Sequence, residues 1–354
     1  MHMADALISP AVGGALWVAA GAAVTYSASK VKNDLDESKI PLMGVAGAFV
    51  FAAQMLNFTI PGTGSSGHLV GALLLAILLG RHAALIVMAS ILAVQALFFA
   101  DGGLLALGAN IINMGFIPIF IAYPLIYRKI AGDGASPSRG RIVVGAVLAS
   151  VIGLQLGAFA VVLETAASGI SALPFSTFLV MMLPIHLAIG AIEGVVTAVV
   201  VLFVLQAQPE LLARSAAGKP LQGARVKPVV IGLAVAAAIA AVSLSWFAST
   251  YSDGLEWSIA KVTGTEEELT TTSSVHEAAA GLQEGTAFLP DYGFRQSEAS
   301  VDEVAVGDEP AWPAVDAGTS LSGVVGGAIV AGIVALIGFV LYRRSAARRA
   351  KASA

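Results

Sequence analysis

The chain has 354 residues, 57% of them hydrophobic and 12% charged, with a net charge of −4 and a mean hydropathy of +0.85. Soluble domains carry roughly 25% charged residues, so this composition excludes a soluble globular protein and points to an integral membrane protein. Cysteine is absent, which excludes disulfide frameworks, CxxC redox chemistry and thiolate metal sites.

Apolar runs predict membrane helices of roughly 20 residues at about 10–29, 41–59, 69–80, 83–100, 104–127, 142–166 and 176–206, then at 229–248 and 321–342. The run at 69–80 is short and follows a glycine-rich stretch, so it reads as a broken or partial span. Alternating β patterning is missing from the runs, which argues against a membrane barrel. The expected fold is an all-α integral membrane protein. A helical bundle of about seven segments is followed by two further transmembrane helices, which flank the polar segment 249–319. The first helix carries Ala15, Ala19 and Ala23 at four-residue spacing. Such a stripe of small residues lets another helix approach closely, either from a partner or within the bundle.

Basic residues fix the expected orientation. Lys30, Lys32 and Lys39 follow the first run, Arg81 the third, Arg128, Lys129, Arg139 and Arg141 the fifth, and Arg214, Lys219, Arg225 and Lys227 the seventh. The tail reads RRSAARRAK. With nine crossings all these clusters fall on one side, which the positive-inside rule makes cytoplasmic. The N-terminus, the loop TIPGTGSSGH and segment 249–319 then lie outside. That segment holds fourteen acidic residues against Lys261 and Arg295, so it is either a cation-attracting surface or a solvated linker. The first residues have neither the positive n-region nor the small-residue cleavage site of a signal peptide. Met1 is therefore expected to be retained, with the bulky His2 protecting it from removal.

Five histidines are present: His2, His68, His82, His186 and His276. Topology places His2 and His68 together at the outer surface. The Met1 amine, the His2 amide nitrogen and the His2 imidazole form adjacent chelate rings, and His68 supplies a fourth nitrogen. Four nitrogens in a square plane suit Ni(II) or Cu(II), and Co(II) can follow. PGTGSSGH satisfies G-x-x-x-x-G but continues with His68 and Leu69, without the lysine and hydroxyl of a phosphate loop. Its glycines instead permit tight turns that return His68 over the bundle. HEAAA at His276 fails HExxH, leaving a zinc protease without support, and His82 beside Arg81 reads as interfacial.

Intramembrane polar residues are functional by default: Gln54, Asn57, Gln95, Asn110, Asn113, Gln155, Glu164, His186 and Glu193. Gln95 and Gln155 are read as helix-to-helix hydrogen bonds, and Asn57 and Glu164 as interfacial. His186 and Glu193, seven apart on one helix face, are read as a buried structural pair.

MHMADALISP, VAGAFVFAAQMLNFTIPGTGSSGHL and LIVMASILAVQALFFADGGLLALGANIINMGF resemble the CbiM/NikM group, the nickel/cobalt substrate-binding subunits of energy-coupling-factor transporters. The resemblance covers residues 1 to about 206. DGLEW at 253–257 resembles the small NikN/CbiN accessory subunit, with Ser252 where the usual wording has proline. This likeness implies a metal site of the Met1 amine, the His2 amide and ring, and the His68 ring, with Ni2+ or Co2+ as transported substrate. It also implies a transmembrane coupling (T) subunit and ABC ATPase subunits as partners, the former touched by Ala15, Ala19 and Ala23. The expected organisation is a metal-binding domain at 1–206, a cytoplasmic linker at 207–227, an accessory domain at 228–342 and a basic cytoplasmic tail at 343–354. The expected location is the cell membrane, multi-pass, with an extracytoplasmic N-terminus. The rival readings are an intramembrane metalloenzyme, for which no carboxylate adjoins His2 or His68 in sequence, and a membrane metal sensor.

Overall fold

The computed structural model describes residues 1–31, 35–132, 138–265, 269, 273–295 and 313–352, with side chains as far as Ala346. Lys32, the tail side chains from Ala347 onward, and residues 266–268, 270–272 and 296–312 of the acidic segment lie outside the described residues.

Each apolar run coincides with a helix. The first seven are α1 (Pro10–Val31), α2 (Lys39–Gln54), α3 (Ala72–Leu79), α4 (Arg81–Phe99), α5 (Leu107–Ala131), α6 (Arg139–Ser168) and α7 (Phe175–Ala207). A short α8 (Pro209–Ala216) leads to α9 (Lys227–Val242). The polar segment forms α10 (Gly254–Thr263) and α11 (Ser274–Thr286) before the long α12 (Ala317–Ala352). Helices α1, α4, α5, α6, α7 and α12 are long and apolar enough to cross a membrane, while α2 and α9 are shorter apolar helices. The protein is thus an all-helical, multi-pass membrane protein. Large apolar side chains such as Leu148, Val195, Val199, Ile231 and Val235 face outward, as lipid contact permits and water does not.

The short run behaves as expected of a partial span. Helix α3 has eight residues, all buried, and so rises only about 12 Å. Strands β1 (Phe58–Ile60) and β2 (Ser65–Gly67) pair antiparallel, Thr59 opposite Ser66. Gly62 and Gly64 take φ of 78° and 71° in the turn between them, a conformation that costs a glycine nothing. This hairpin returns the chain to the bundle just before His68.

Three packing devices hold the scaffold. In α6 and α7, a side chain at Gly190 or Gly194 would sit 2.8 Å or 2.4 Å from the backbone of Val151 or Val147, the close approach that a GxxxG spacing allows. Helix α5 runs through a π-helical stretch, Ile111–Tyr127, containing Pro118 and Pro124. Proline lacks the N–H that a regular turn requires, so wider turns are tolerated here. Finally α9 and α12 pack on α2, and the backbone of α12 at Ala331 lies 3.1 Å from where a side chain on Gly44 would be. Helices α9 and α12 are therefore built onto the bundle.

Helix α1 is the exception. Only 17% of its 18-residue apolar window is buried; Ala15 and Ala19 are exposed and Ala23 is half-buried.

Candidate metal centre

Residues 1–8 fold back over the bundle as an ordered segment. The Met3 N–H donates to Asn110 Oδ1 at 2.8 Å, and Asn110 Nδ2 donates to the Met3 carbonyl at 3.1 Å. Gly103 N–H also reaches that carbonyl, at 3.0 Å. Asp5 Oδ1 accepts from Ala106 N–H at 2.9 Å. Position 103 must be glycine here, since a Cβ would fall 1.8 Å from Asp5 Oδ1. The result is a terminus positioned by Asn110 of α5 and by the loop between α4 and α5.

This placement brings the three predicted ligand residues together. The Met1 amine lies 3.0 Å from His68 Nε2, and the His2 and His68 rings stack with centroids 5.0 Å apart and planes at 15°. Two nitrogens in adjacent positions around one ion, each ~2.0 Å from it, are about 2.8 Å apart. The amine–imidazole spacing therefore matches a shared cation. His68 is pre-oriented as metal-ligating histidines are: its Nδ1–H donates to the Leu69 carbonyl at 3.1 Å, which leaves the Nε2 lone pair towards the amine. Burial, then the amine's positive charge, holds His68 down to about 3, with His2 adding to the effect. The same two causes hold His2 at about 3, against the opposing pull of Asp253 and Gln95. Both rings are accordingly neutral and able to bind a cation.

Oxygen groups surround this set. His2 Nδ1 is 3.1 Å from Asp101 Oδ1 and its Nε2 is 3.2 Å from Gln95 Oε1. Tyr292 donates its hydroxyl to Asp101. Burial pushes the Asp101 carboxyl up, partly offset by that hydrogen bond, and burial with the nearby Asp101 charge pushes the Tyr292 phenol well above its ordinary range. Asp253 pairs with the Met1 ammonium and lies 3.8 Å from His68 Nε2. Burial alone would raise its carboxyl, but the ammonium and His68 outweigh that and hold it well below the carboxylate range. For the amine to hold a cation, Asp253 would have to leave it and the ammonium would have to give up a proton.

Asp253 comes from the polar segment between α9 and α12, which lies over Met1 and His68. It caps α10, accepting from Leu255 N–H at 2.8 Å and Glu256 N–H at 2.9 Å. Ser66 N–H bonds the Ser252 carbonyl at 2.9 Å, and Trp257 Nε1 donates to Thr63 at 3.1 Å, bolting this segment to the His68 hairpin. From α11, His276 Nε2 donates to the carbonyls of Asp5 and Ile8 at 3.0 and 2.9 Å, and Gln283 reaches Ala96 and Gly102.

The chain matches the family described as cobalt uptake substrate-specific transmembrane region over residues 2–211. It belongs to that family. Residues 227–343 match the PDGLE domain, so a CbiM-type region is fused to a CbiN-like part. A protein of Archaeoglobus fulgidus assigned as a fused nickel transport protein, NikMN, is 33% identical over 97% of this chain and 98% of its own length. The cobalt transport protein CbiM of Geobacter sulfurreducens is 31% identical over 65% of this chain and 68% of its own. A crystal structure of a truncated transition metal transporter aligns with a TM-score of 0.51 at 31% identity, covering 58% of this chain and 99% of that one. These are transport proteins, and a transporter subunit, not an enzyme, is the class to which this chain belongs.

Several other polar residues of this CbiM-type region stand differently from the sequence expectation. His186 and Glu193 do not pair. Glu193 clasps the His68 loop instead, accepting from Val70 N–H at 2.8 Å and Gly71 N–H at 3.1 Å, because that loop brings two bare amides into the bundle. His186 donates to Met182 on its own helix. Gln95 does bond Gln54 between helices, at 2.7 Å, yet its oxygen faces His2. Gln155 bonds the Leu183 carbonyl across helices as expected. Glu164 accepts from Asn113 at 2.7 Å. His82 sits by Ser27, at the opposite end of α4 from Asp101. The absence of a sequence-adjacent carboxylate was misleading: Asp101 and Asp253 arrive from 99 and 251 positions away. Both lie in stretches that carried the family resemblance, ADGG and DGLEW, and that was the available signal.

Proposed function

We propose that this chain is the substrate-specificity subunit of an ATP-driven energy-coupling-factor importer, fused to its accessory subunit, that captures Ni2+ or Co2+ at the extracytoplasmic face. The Met1 amine, the His2 amide and ring, and the His68 ring are the ligands. The observation that carries this reading is the 3.0 Å approach of the amine to His68 Nε2 beside the stacked His2 ring, in a chain whose relatives are named for nickel and cobalt transport. The one-sided basic loops support an outward N-terminus. The exposed Ala15 and Ala19, with the half-buried Ala23, suit α1 to contact a coupling T subunit, which would connect the metal site to ABC ATPase subunits.

The test is metal titration of the purified chain, after intact-mass measurement of its N-terminus, beside an uptake assay with and without the partner subunits. His68→Ala is expected to weaken Ni2+ or Co2+ binding by more than about 100-fold and to abolish uptake. Equal binding by that variant would remove His68 from the ligand set, and uptake without ATPase subunits would refute the energy coupling.

A further inference from the structure

His186 is fully buried in α7, and its ring Nε2 has no hydrogen-bond partner among the described residues. An imidazole nitrogen left unpaired in a buried site carries a desolvation cost. The ring is not free to turn towards a partner, since Nδ1–H donates to the Met182 carbonyl at 2.8 Å. That bond fixes the tautomer, so Nε2 carries a lone pair.

The same arrangement occurs in His68. There too Nδ1–H is tied to a backbone carbonyl and Nε2 is left for a ligand, the orientation that supporting bonds impose on metal-binding histidines. The two rings share a surrounding: Met1, Gly67, His68, His186, Asp253 and Gly254 line one narrow crevice. The accessory segment lies directly on the His186 ring, for a Cβ at Gly254 would be 3.3 Å from its Cε1. Asp253, one residue earlier, presents one carboxylate oxygen to the α10 amides and the other to the Met1 ammonium.

We propose that Asp253 and His186 form a second position for a divalent transition-metal cation, next to the Met1–His2–His68 set, in which the ion is held as it enters or leaves. The proposal rests on the reading of Met1, His2 and His68 as the principal ligands. A carboxylate oxygen and an imidazole nitrogen suit such an ion, and the site opens when Asp253 lets go of the ammonium. The bundle then supplies one donor and the accessory part the other. This gives the fusion a chemical purpose at the site, beyond covering it.

The experiment is Co2+ titration of the full chain in detergent, followed by bound-metal analysis and optical absorption, with Asp253→Asn and His186→Asn beside the parent. Asparagine still caps a helix and, at position 186, keeps a donor near the Met182 carbonyl while removing the Nε2 lone pair. A purely structural role would therefore be rescued. The parent is expected to bind one tight equivalent and a second, weaker one. Each variant is expected to lose the weaker equivalent, and His186→Asn, which touches none of the principal ligands' hydrogen bonds, to keep the tight affinity within about threefold. A parent with a single equivalent, or a weak equivalent that survives in both variants and so resides on the acidic surface, would overturn the proposal. A parent that binds no Co2+ or Ni2+ would instead refute the principal site.

Discussion

Met1 and Met3 are 4% and 0% exposed, while α1, which starts at Pro10, has 17% of its apolar window buried. Chain termini are usually where order is lost, and a transmembrane helix is usually where packing is gained. Here the two are reversed. The first eight residues are hydrogen-bonded to Asn110 of α5, to the loop after α4 and to His276 of α11, while α1 leaves Ala15 and Ala19 exposed. The contrast sets an ordered terminus beside a largely uncovered helix within thirty residues, as the proposed chelation and the proposed contact with another helix would each require.

The most severe way to break this contrast is to add one residue before Met1, retained in the mature protein. Every side chain remains, but the α-amine moves off Asp253 and His68. Metal affinity is expected to fall by more than about 100-fold, with membrane insertion unchanged. Titration beside the parent, with both N-termini confirmed by mass spectrometry, checks this. An extended chain that binds like the parent would show that the amine is not a ligand.

Ala19→Leu tests the other half. The side chain is exposed, and surface changes generally shift stability by less than about 0.5 kcal/mol. The fold and the metal affinity should both survive, the latter within about twofold. Uptake with the partner subunits is expected to drop by about tenfold or more, since a leucine blocks close helix approach. Unchanged uptake would make α1 a lipid-facing helix.

How much of this was legible beforehand follows from the range of the forces involved. Helices such as α4 and α6 are read locally, from runs of apolar residues, and the return of His68 from the glycines at 62 and 64. The meeting of Met1, His2 and His68 followed from topology, because basic loops state which ends share a side. What stayed hidden depends on non-local geometry. Asp253 lies 252 residues from the amine it pairs with, and no spacing rule reaches that far. The expected pairing of His186 with Glu193 failed for a similar reason: helical spacing gives a common face, but two loop amides outcompeted the histidine for the carboxylate. The oxygen of Gln95 that faces His2 was equally invisible behind its bond to Gln54.

Acidification should sharpen the contrast between terminus and helix. His2 and His68 are held at about 3 in the fold, against ~6.5 when released to solvent. Below ~6.5 the released segment takes up protons that the docked one refuses, so docking weakens progressively as pH falls from ~6.5 towards about 3. Asp253, held well below the carboxylate range, stays charged from pH 7 to 5 and adds nothing in that interval. Helix α1 contains no histidine or carboxylate and serves as internal reference. Hydrogen exchange of the amides of residues 2–8, corrected for intrinsic rates, is expected to rise severalfold relative to α1 between pH 7 and 5. A constant ratio would mean that the rings are not held neutral by burial.

The smallest effect concerns the cover. His276 Nε2 serves two carbonyls of the N-terminal segment, those of Asp5 and Ile8, and Ile8 is fully buried. A net hydrogen bond contributes about 0.5–1.5 kcal/mol, so His276→Ala should weaken metal binding by about threefold to tenfold without removing any ligand. His82→Ala is the matched control. That ring sits between Tyr26 and Phe120, at the far end of α4 from Asp101, and its loss should leave affinity within about twofold. The difference between these two histidines isolates what α11 does for the terminus. If both variants bind like the parent, then Asn110 and the loop after α4 hold residues 1–8 unaided. The accessory part would in that case act on the site through the Asp253 end alone.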